Sequence, residues 1–145
     1  MDKLHSWLKT KNRSGVYWLK SAATPGELEK AVKDEGLAYF HIEGQKLVKK
    51  EQFLNHAALA MHFPEYFGDN WDAFEDCLMD LSWVEADGFV IVYDHVDVFA
   101  EHQPQHFDTL LEILREATEY WHGQGKPMLA LLRGKHPIEE IELLS

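Results

Sequence analysis

The sequence predicts an α/β fold: a single domain in which a small parallel sheet of three to four strands packs with helices. Two continuous apolar runs, 89–93 (FVIVY) and 128–132 (MLALL), are typical of strands that are buried on both faces. Stretches with apolar residues at helical spacing separate these runs from other β-prone segments. The chain has 145 residues, 46% of them apolar, which favours one globular domain.

Local signals define the elements of the N-terminal part. Residues 16–19 and 38–42 are β-prone runs and predict strands. Between them, the sequence TPGE at 24–27 forms a capping box with proline at the first helical position. It predicts a helix over residues 25–34, which Gly36 ends.

Apolar residues that recur at three and four positions predict two further helices, over residues 49–62 and 71–81. A longer helix is predicted over residues 104–122, where Gly123 ends it. Residues 93–97 are interpreted as a strand end and a loop. At the N-terminus, Leu4, Trp7 and Leu8 stand at helical spacing and predict a docking turn of helix. The tail beyond Arg133 has no decisive pattern.

Charge is distributed unevenly along the chain. The net charge is −11, and ten of the fourteen Lys and Arg residues lie in residues 1–50. Residues 65–119 contain fifteen Asp and Glu residues and one basic residue, Arg115. Such a field argues against nucleic acid as a direct partner and favours a cationic one. A solvated acidic face is the alternative interpretation.

A few simple features restrict the location and the stabilising chemistry. The single cysteine, Cys77, excludes an internal disulfide and a thiolate zinc cluster, and its place on an apolar stripe predicts that it is buried. The sequence has no apolar stretch of about 18 residues and no signal-peptide core, so we expect a cytoplasmic protein without a membrane partner.

Residues 71–81 predict a helix with two distinct faces. The inward face is expected to comprise Phe74, Cys77, Leu78 and Leu81. Asp72, Asp76 and Asp80 stack four residues apart on another side and form an aspartate ladder. Each like-charge pair of this kind costs a helix roughly 0.2–0.5 kcal/mol, so folding alone does not explain the ladder.

The start of this helix explains only one of the three aspartates. Asn70 is a good N-cap, and the helix dipole favours Asp72 in the first turn. Asp76 and Asp80 lie toward the partially negative end, so a cationic partner is the simpler interpretation. The aromatic residues Tyr66 and Phe67 precede the helix, and aromatic side chains beside charges are typical of interfaces.

The segment 66–78, YFGDNWDAFEDCL, resembles the loop and inhibitory helix of the barstar family. The pattern of that family is roughly aromatic, aromatic, Gly, x, Asn, x, Asp, Ala, Leu, x, Asp, Cys, Leu. The likeness extends more weakly over about residues 38–133. It implies a barstar-like α/β fold and a protein inhibitor of a barnase-type, basic ribonuclease, with no catalysis and no cofactor of its own.

The resemblance also implies which residues contact the ribonuclease: Tyr66, Gly68, Asn70, Asp72, Asp76 and Glu116. Trp83 matches a tryptophan near the same surface, and the ladder adds Asp80. Glu75 is a departure, because barstar itself has a tryptophan at this position, and the extra charge would suit a different target. We include Glu75 in the predicted partner-binding surface.

The division of the chain follows the same resemblance. Residues 1–37 have no counterpart in barstar itself and are expected to add a strand and a helix at the edge of the sheet. Residues 38–145 are expected to form the barstar-like domain. We expect a monomer, because a protein that blocks an active site tightly would form a 1:1 complex with the enzyme.

The mechanism that the resemblance implies is mimicry of RNA phosphate. A ribonuclease holds phosphate with Arg, Lys and His side chains. A fixed carboxylate such as that of Asp76 can take the place of the phosphate and accept two hydrogen bonds from one Arg side chain.

Two other classes of function stay open. For an enzyme or a metal site the spacings are unfavourable, because Pro104 separates His102 from His106 and no phosphate loop or nucleophile elbow is present. We therefore expect no metal site. The other class is a non-inhibitory acidic docking module for another basic protein or for a different nuclease toxin.

Overall fold

A parallel sheet forms the centre of the computed structural model, which describes Leu8, residues 14–64 and residues 70–144. Within these residues the sheet has five strands in the order β2-β3-β4-β1-β5. The strands are β1 (Gly15–Leu19), β2 (Ala38–Glu43), β3 (Phe89–Asp94), β4 (Met128–Leu132) and β5 (Glu142–Leu144). The predicted α/β class is confirmed, but the expected three to four strands are too few.

Five helices of the described chain cover the two faces of the sheet. They are α1 (Pro25–Asp34), α2 (Lys50–Ala60), α3 (Trp71–Asp80), α4 (Val96–His102) and α5 (Pro104–Gly123), and a short 3-10 turn spans Gly44–Lys46. Helix α1 packs on one face, and the other four helices lie on the opposite face. Within the same residues, no helix combines the length and the apolar character needed to cross a bilayer.

The core consists of two layers that meet at the central strands. Along β3, Phe89, Ile91 and Tyr93 point into the large cluster formed with α2 to α5. Val90 and Val92 point the other way, into the cluster that contains α1. Every residue of β3 and β4 is buried, as the continuous apolar runs predict.

Helix α1 has the bounds that its capping box predicts. The Thr24 hydroxyl accepts a hydrogen bond from the Glu27 backbone N–H at 3.1 Å, and the Glu27 carboxylate accepts one from the Thr24 N–H at 2.9 Å. Pro25 occupies the first turn. These local bonds satisfy backbone donors that the helix itself leaves free.

Strands β1 and β5, which come from the N-terminal and C-terminal parts of the chain, complete the sheet. Strand β1 lies between β4 and β5, so it is an inner strand and not the edge strand that the sequence predicts. The edge position belongs to β5, from the tail in which the sequence shows no decisive pattern. Leu8 is helical and buried, whereas Leu4 and Trp7 of the predicted docking turn lie outside the described residues.

A short helix replaces the loop predicted after β3. His95 adopts a left-handed backbone conformation with φ of 57°, which turns the chain from β3 directly into α4. Gln103 then separates α4 from α5, and Pro104 begins α5. His102 and His106 therefore belong to different helices, as the position of Pro104 suggests.

Arg133, just beyond β4, ties three parts of the fold together. Its Nε donates to Asp94 Oδ1 at 2.6 Å and its Nη2 donates to Oδ2 at 3.1 Å. Its Nη1 donates to the carbonyls of Ser21 and Ala23 before α1. Burial alone would raise the pKa of Asp94, but the hydrogen bonds from His41 and Arg133 outweigh it and lower the pKa to about 2.

We expect Arg133→Met to lower the free energy of unfolding by about 3 kcal/mol, because it leaves the buried Asp94 carboxylate without its main partner. The measurement is urea-induced unfolding followed by circular dichroism. Lys135→Met removes an equal charge from an exposed side chain nearby and should change stability by less than about 0.5 kcal/mol. Equal losses in the two variants would contradict the role of Arg133.

Candidate functional site

Helix α3 presents the two faces that its sequence predicts. Asn70 caps it, because the side-chain Oδ1 accepts a hydrogen bond from the Ala73 N–H at 2.8 Å. The inward residues Phe74, Cys77, Leu78 and Leu81 are all buried. Leu81 ends the helix in a left-handed conformation with φ of 46°. The outward face is thereby fixed in orientation.

Two tryptophans attach α3 to the long helix α5. At the start of α3, Trp71 Nε1 donates a hydrogen bond to His106 Nδ1 at 3.3 Å. Near its end, Trp121 Nε1 donates to the Leu78 carbonyl at 2.9 Å. That carbonyl lies in the last turn, where a helix leaves its acceptors free. The two bonds hold α3 against α5 at both ends.

The aspartate ladder lies on the solvent side of α3, as predicted. Asp72 is exposed, and Asp76 and Asp80 belong to the same outward side. Asp80 is the last residue of the helix. Burial raises the pKa of the neighbouring Cys77 thiol, and the charges of Asp80 and Asp76 raise it further.

Glu75 lies at the side of α3, where it contacts Glu116 of α5. The two carboxyl groups lie within hydrogen-bonding reach, and a hydrogen bond between them requires a proton on one of them. This bond is the main cause that raises the pKa of Glu75 to about 7, followed by burial and by the charges of Glu116, Asp76 and Asp72. Near neutral pH Glu75 is therefore only partly ionised.

We call Asp72, Glu75, Asp76 and Glu116 the acidic surface. Its three members on α3 alternate with inward residues, and Glu116 reaches the same place from α5. A cation placed between Glu75 and Glu116 would displace the shared proton and leave two carboxylates. A guanidinium group has the planar donor geometry that such carboxylates accept.

Of the other residues predicted to bind the partner, the structure describes Trp83 but not Tyr66 or Gly68. Trp83 is half-buried, and its Nε1 donates to the Met61 carbonyl at 3.1 Å. Its ring meets Phe63 edge-on with centroids 6.0 Å apart, so this tryptophan also supports the fold. Tyr66 and Gly68 lie outside the described residues.

Helix α5 carries acidic residues that the sequence-based prediction of the site leaves out. A groove of about 410 Å³ beside Glu116 is lined by Asp108, Leu111, Glu112, Arg115, Glu116, Glu119 and Glu140. Arg115 donates to the Glu140 carbonyl at 3.1 Å across it. Asp108, Glu112 and Glu116 repeat the four-residue spacing of the aspartate ladder, and that signal is present in the sequence.

A protein-family model matches the chain. The model of the family described as Barstar (barnase inhibitor) matches residues 37–133, which is more than half of the chain. The chain belongs to the barstar family. Members of this family are inhibitors of a ribonuclease partner and not enzymes. The barstar match includes α3 and α5, whereas β1 and α1 precede it and β5 follows it. No curated protein sequence matches the chain.

The raised pKa of Glu75 predicts how this residue affects the free energy of unfolding at different pH values. Because the folded chain raises the pKa of Glu75 from 4.5 to about 7, its proton stabilises the fold at low pH, and this contribution is lost as the pH rises through 7. We expect Glu75→Gln to stabilise the protein at about pH 8 by about 0.5 kcal/mol, since solvent screens this pair, and to give no gain at about pH 4.

The measurement is urea unfolding of both proteins across this pH range. Glu101→Gln, which removes the same charge from an exposed position of α4, is the control and should give no comparable gain at high pH. If the gain in the free energy of unfolding of Glu75→Gln does not depend on pH, that result would contradict a proton shared by Glu75 and Glu116.

Proposed function

We propose that this chain inhibits a basic, barnase-type ribonuclease by placing its acidic surface in the phosphate-binding site of the enzyme. The chain would act as a cytoplasmic monomer in a 1:1 complex. The observation that carries the proposal is the position of Asp72 and Asp76 on the outward side of a helix that is held at both ends. The family membership supports the same partner class.

The attachment of α3 supports tight binding. Ordering flexible side chains and loops at an interface lowers affinity, so a surface that is already ordered loses less free energy on association. Trp71 and Trp121 fix α3 on α5 before any partner arrives. Asp76 follows Asp72 by one helical turn, so both carboxylates keep a constant spacing.

Electrostatics supports a cationic active site as the target. The charges of Glu116, Asp76 and Asp72 all act on Glu75, so a cation bound at this surface would face several carboxylates at once. Close charge pairs between barnase and barstar, the type complex of this family, couple by about 1.5–7 kcal/mol, and that range belongs to their complex. We assign the largest contribution in this chain to Asp76.

One observation favours a second candidate function. Glu75 stands where barstar itself has a tryptophan, and it interacts with Glu116 of the acidic surface. This replaces an aromatic contact with a further carboxylate, a change that suits a partner with an additional cation. The second candidate is a docking module for another basic protein or for a different nuclease toxin.

The two functions differ in a ribonuclease assay. We expect stoichiometric inhibition of a barnase-type enzyme by the wild-type chain, and inhibition about 100-fold weaker or more by Asp76→Ala, because one enzyme cation loses its carboxylate. The control is Asp34→Asn, which removes an equal charge from the exposed end of α1 on the other face of the sheet. Its inhibition should equal that of the wild type.

A folded Asp76→Ala variant that inhibits as well as the wild type would contradict the role of Asp76. If the wild-type chain fails to inhibit at micromolar excess but still captures a basic protein on an affinity column, the docking function is favoured.

A further inference from the structure

A second polar cluster lies at the carboxyl ends of β2 and β3. His41 and Glu43 are two residues apart on β2 and therefore point to the same face of the sheet. Asp94 is the register partner of Glu43 on β3. This is the face that α1 covers, opposite to the helices that carry the acidic surface. The cluster is therefore separate from the proposed inhibitory site.

We propose that His41, Glu43 and Asp94 bind a divalent transition-metal ion of the zinc type. Each residue offers one ligand atom, and the three atoms lie within 4.8 Å of one another. Imidazole nitrogen and carboxylate oxygen are ligands that Zn²⁺ accepts at about 2.0–2.2 Å, with water in the fourth position of a three-ligand site. Both the ligand types and their number fit this class of ion.

The distances require only small movements. His41 Nε2 lies 2.8 Å from Asp94 Oδ2, whereas two ligands of a tetrahedral zinc ion lie about 3.3 Å apart. Side chains on two paired strands can separate by this amount without a change in the backbone register. The ion would take the place of the hydrogen bond between these two atoms.

Arg133 orients the aspartate ligand. Its Nε donates to Oδ1 at 2.6 Å and its Nη2 donates to Oδ2 at 3.1 Å, and this fork holds Oδ2 at 2.8 Å from His41 Nε2. Hydrogen bonds of this kind, from residues outside the metal's own ligands, fix the orientation of metal-binding carboxylates. Glu43 and Asp94 carry two negative charges against the one positive charge of Arg133, so the cluster still attracts a cation.

Glu43 is the most accessible ligand. Its Oε2 contacts His95 Nδ1 at 2.5 Å and accepts a hydrogen bond from the Gln45 N–H at 3.0 Å. The side chain of Glu43 is 42% exposed, and that of His41 is 25% exposed, which leaves a path for the ion. A small rotation of the Glu43 carboxylate would exchange the contact with His95 for a bond to the ion.

The sequence could not reveal this cluster. His41 and Glu43 stand far from Asp94 in the chain, and no metal-binding motif has this spacing. The sequence-based expectation of no metal site rests on histidines that are neighbours in the chain. Parallel pairing of β2 with β3 brings the three residues together.

The test is a calorimetric titration of the tag-free chain with Zn²⁺ alone. We expect one saturable site, weakened at least about tenfold by His41→Gln, whose amide can still donate to Asp94. Glu43→Gln should weaken binding similarly while it leaves the bond between Arg133 and Asp94 intact. The control is His122→Gln in the last turn of α5, which should bind as the wild type does.

The proposal is overturned if no saturable site is found, or if zinc binding survives unchanged in both His41→Gln and Glu43→Gln. An equal loss in His122→Gln would also overturn it, since that result indicates scattered surface histidines. Circular dichroism of each variant establishes that it is folded. Ribonuclease inhibition is not part of this measurement, so its outcome is independent of the proposed function.

Discussion

The inner strands β3 and β4 must be covered on both faces, and the rest of the structure depends on this constraint. Their side chains are buried without interruption, so helices have to pack on each side of the sheet. Charged side chains then lie mostly on the outer faces of the helices and near the ends of the strands. The acidic surface occupies the first kind of place, and the cluster around Asp94 occupies the second.

Elements with local signals were predictable from the sequence, and elements that depend on tertiary contacts were not. The bounds of α1 follow from its capping box and from Pro25. Strand β5 has only three residues, and it is a strand because β1 offers it a partner. Helix α4 begins after His95 in a left-handed conformation, for which no glycine or asparagine gives a signal.

The same distinction holds for the candidate site. Periodicity alone predicts which side of α3 carries the aspartates and which side is buried. The contact between Glu75 and Glu116 depends on how α3 and α5 are rotated about their axes, and no pattern within either helix records that rotation. The bond from Trp121 to the Leu78 carbonyl is of the same kind, because it joins distant segments.

Helix α3 carries two sets of residues that alternate along its sequence and lie on different sides of the helix. Phe74, Cys77 and Leu78 fill the core, and Asp72 and Asp76 lie on the outward side. A mutation in the outward set changes the charge offered to a partner and leaves the inward packing as it was. A lineage that carries this helix can therefore follow a changing target by substituting a few outward positions, while selection for folding acts on the others.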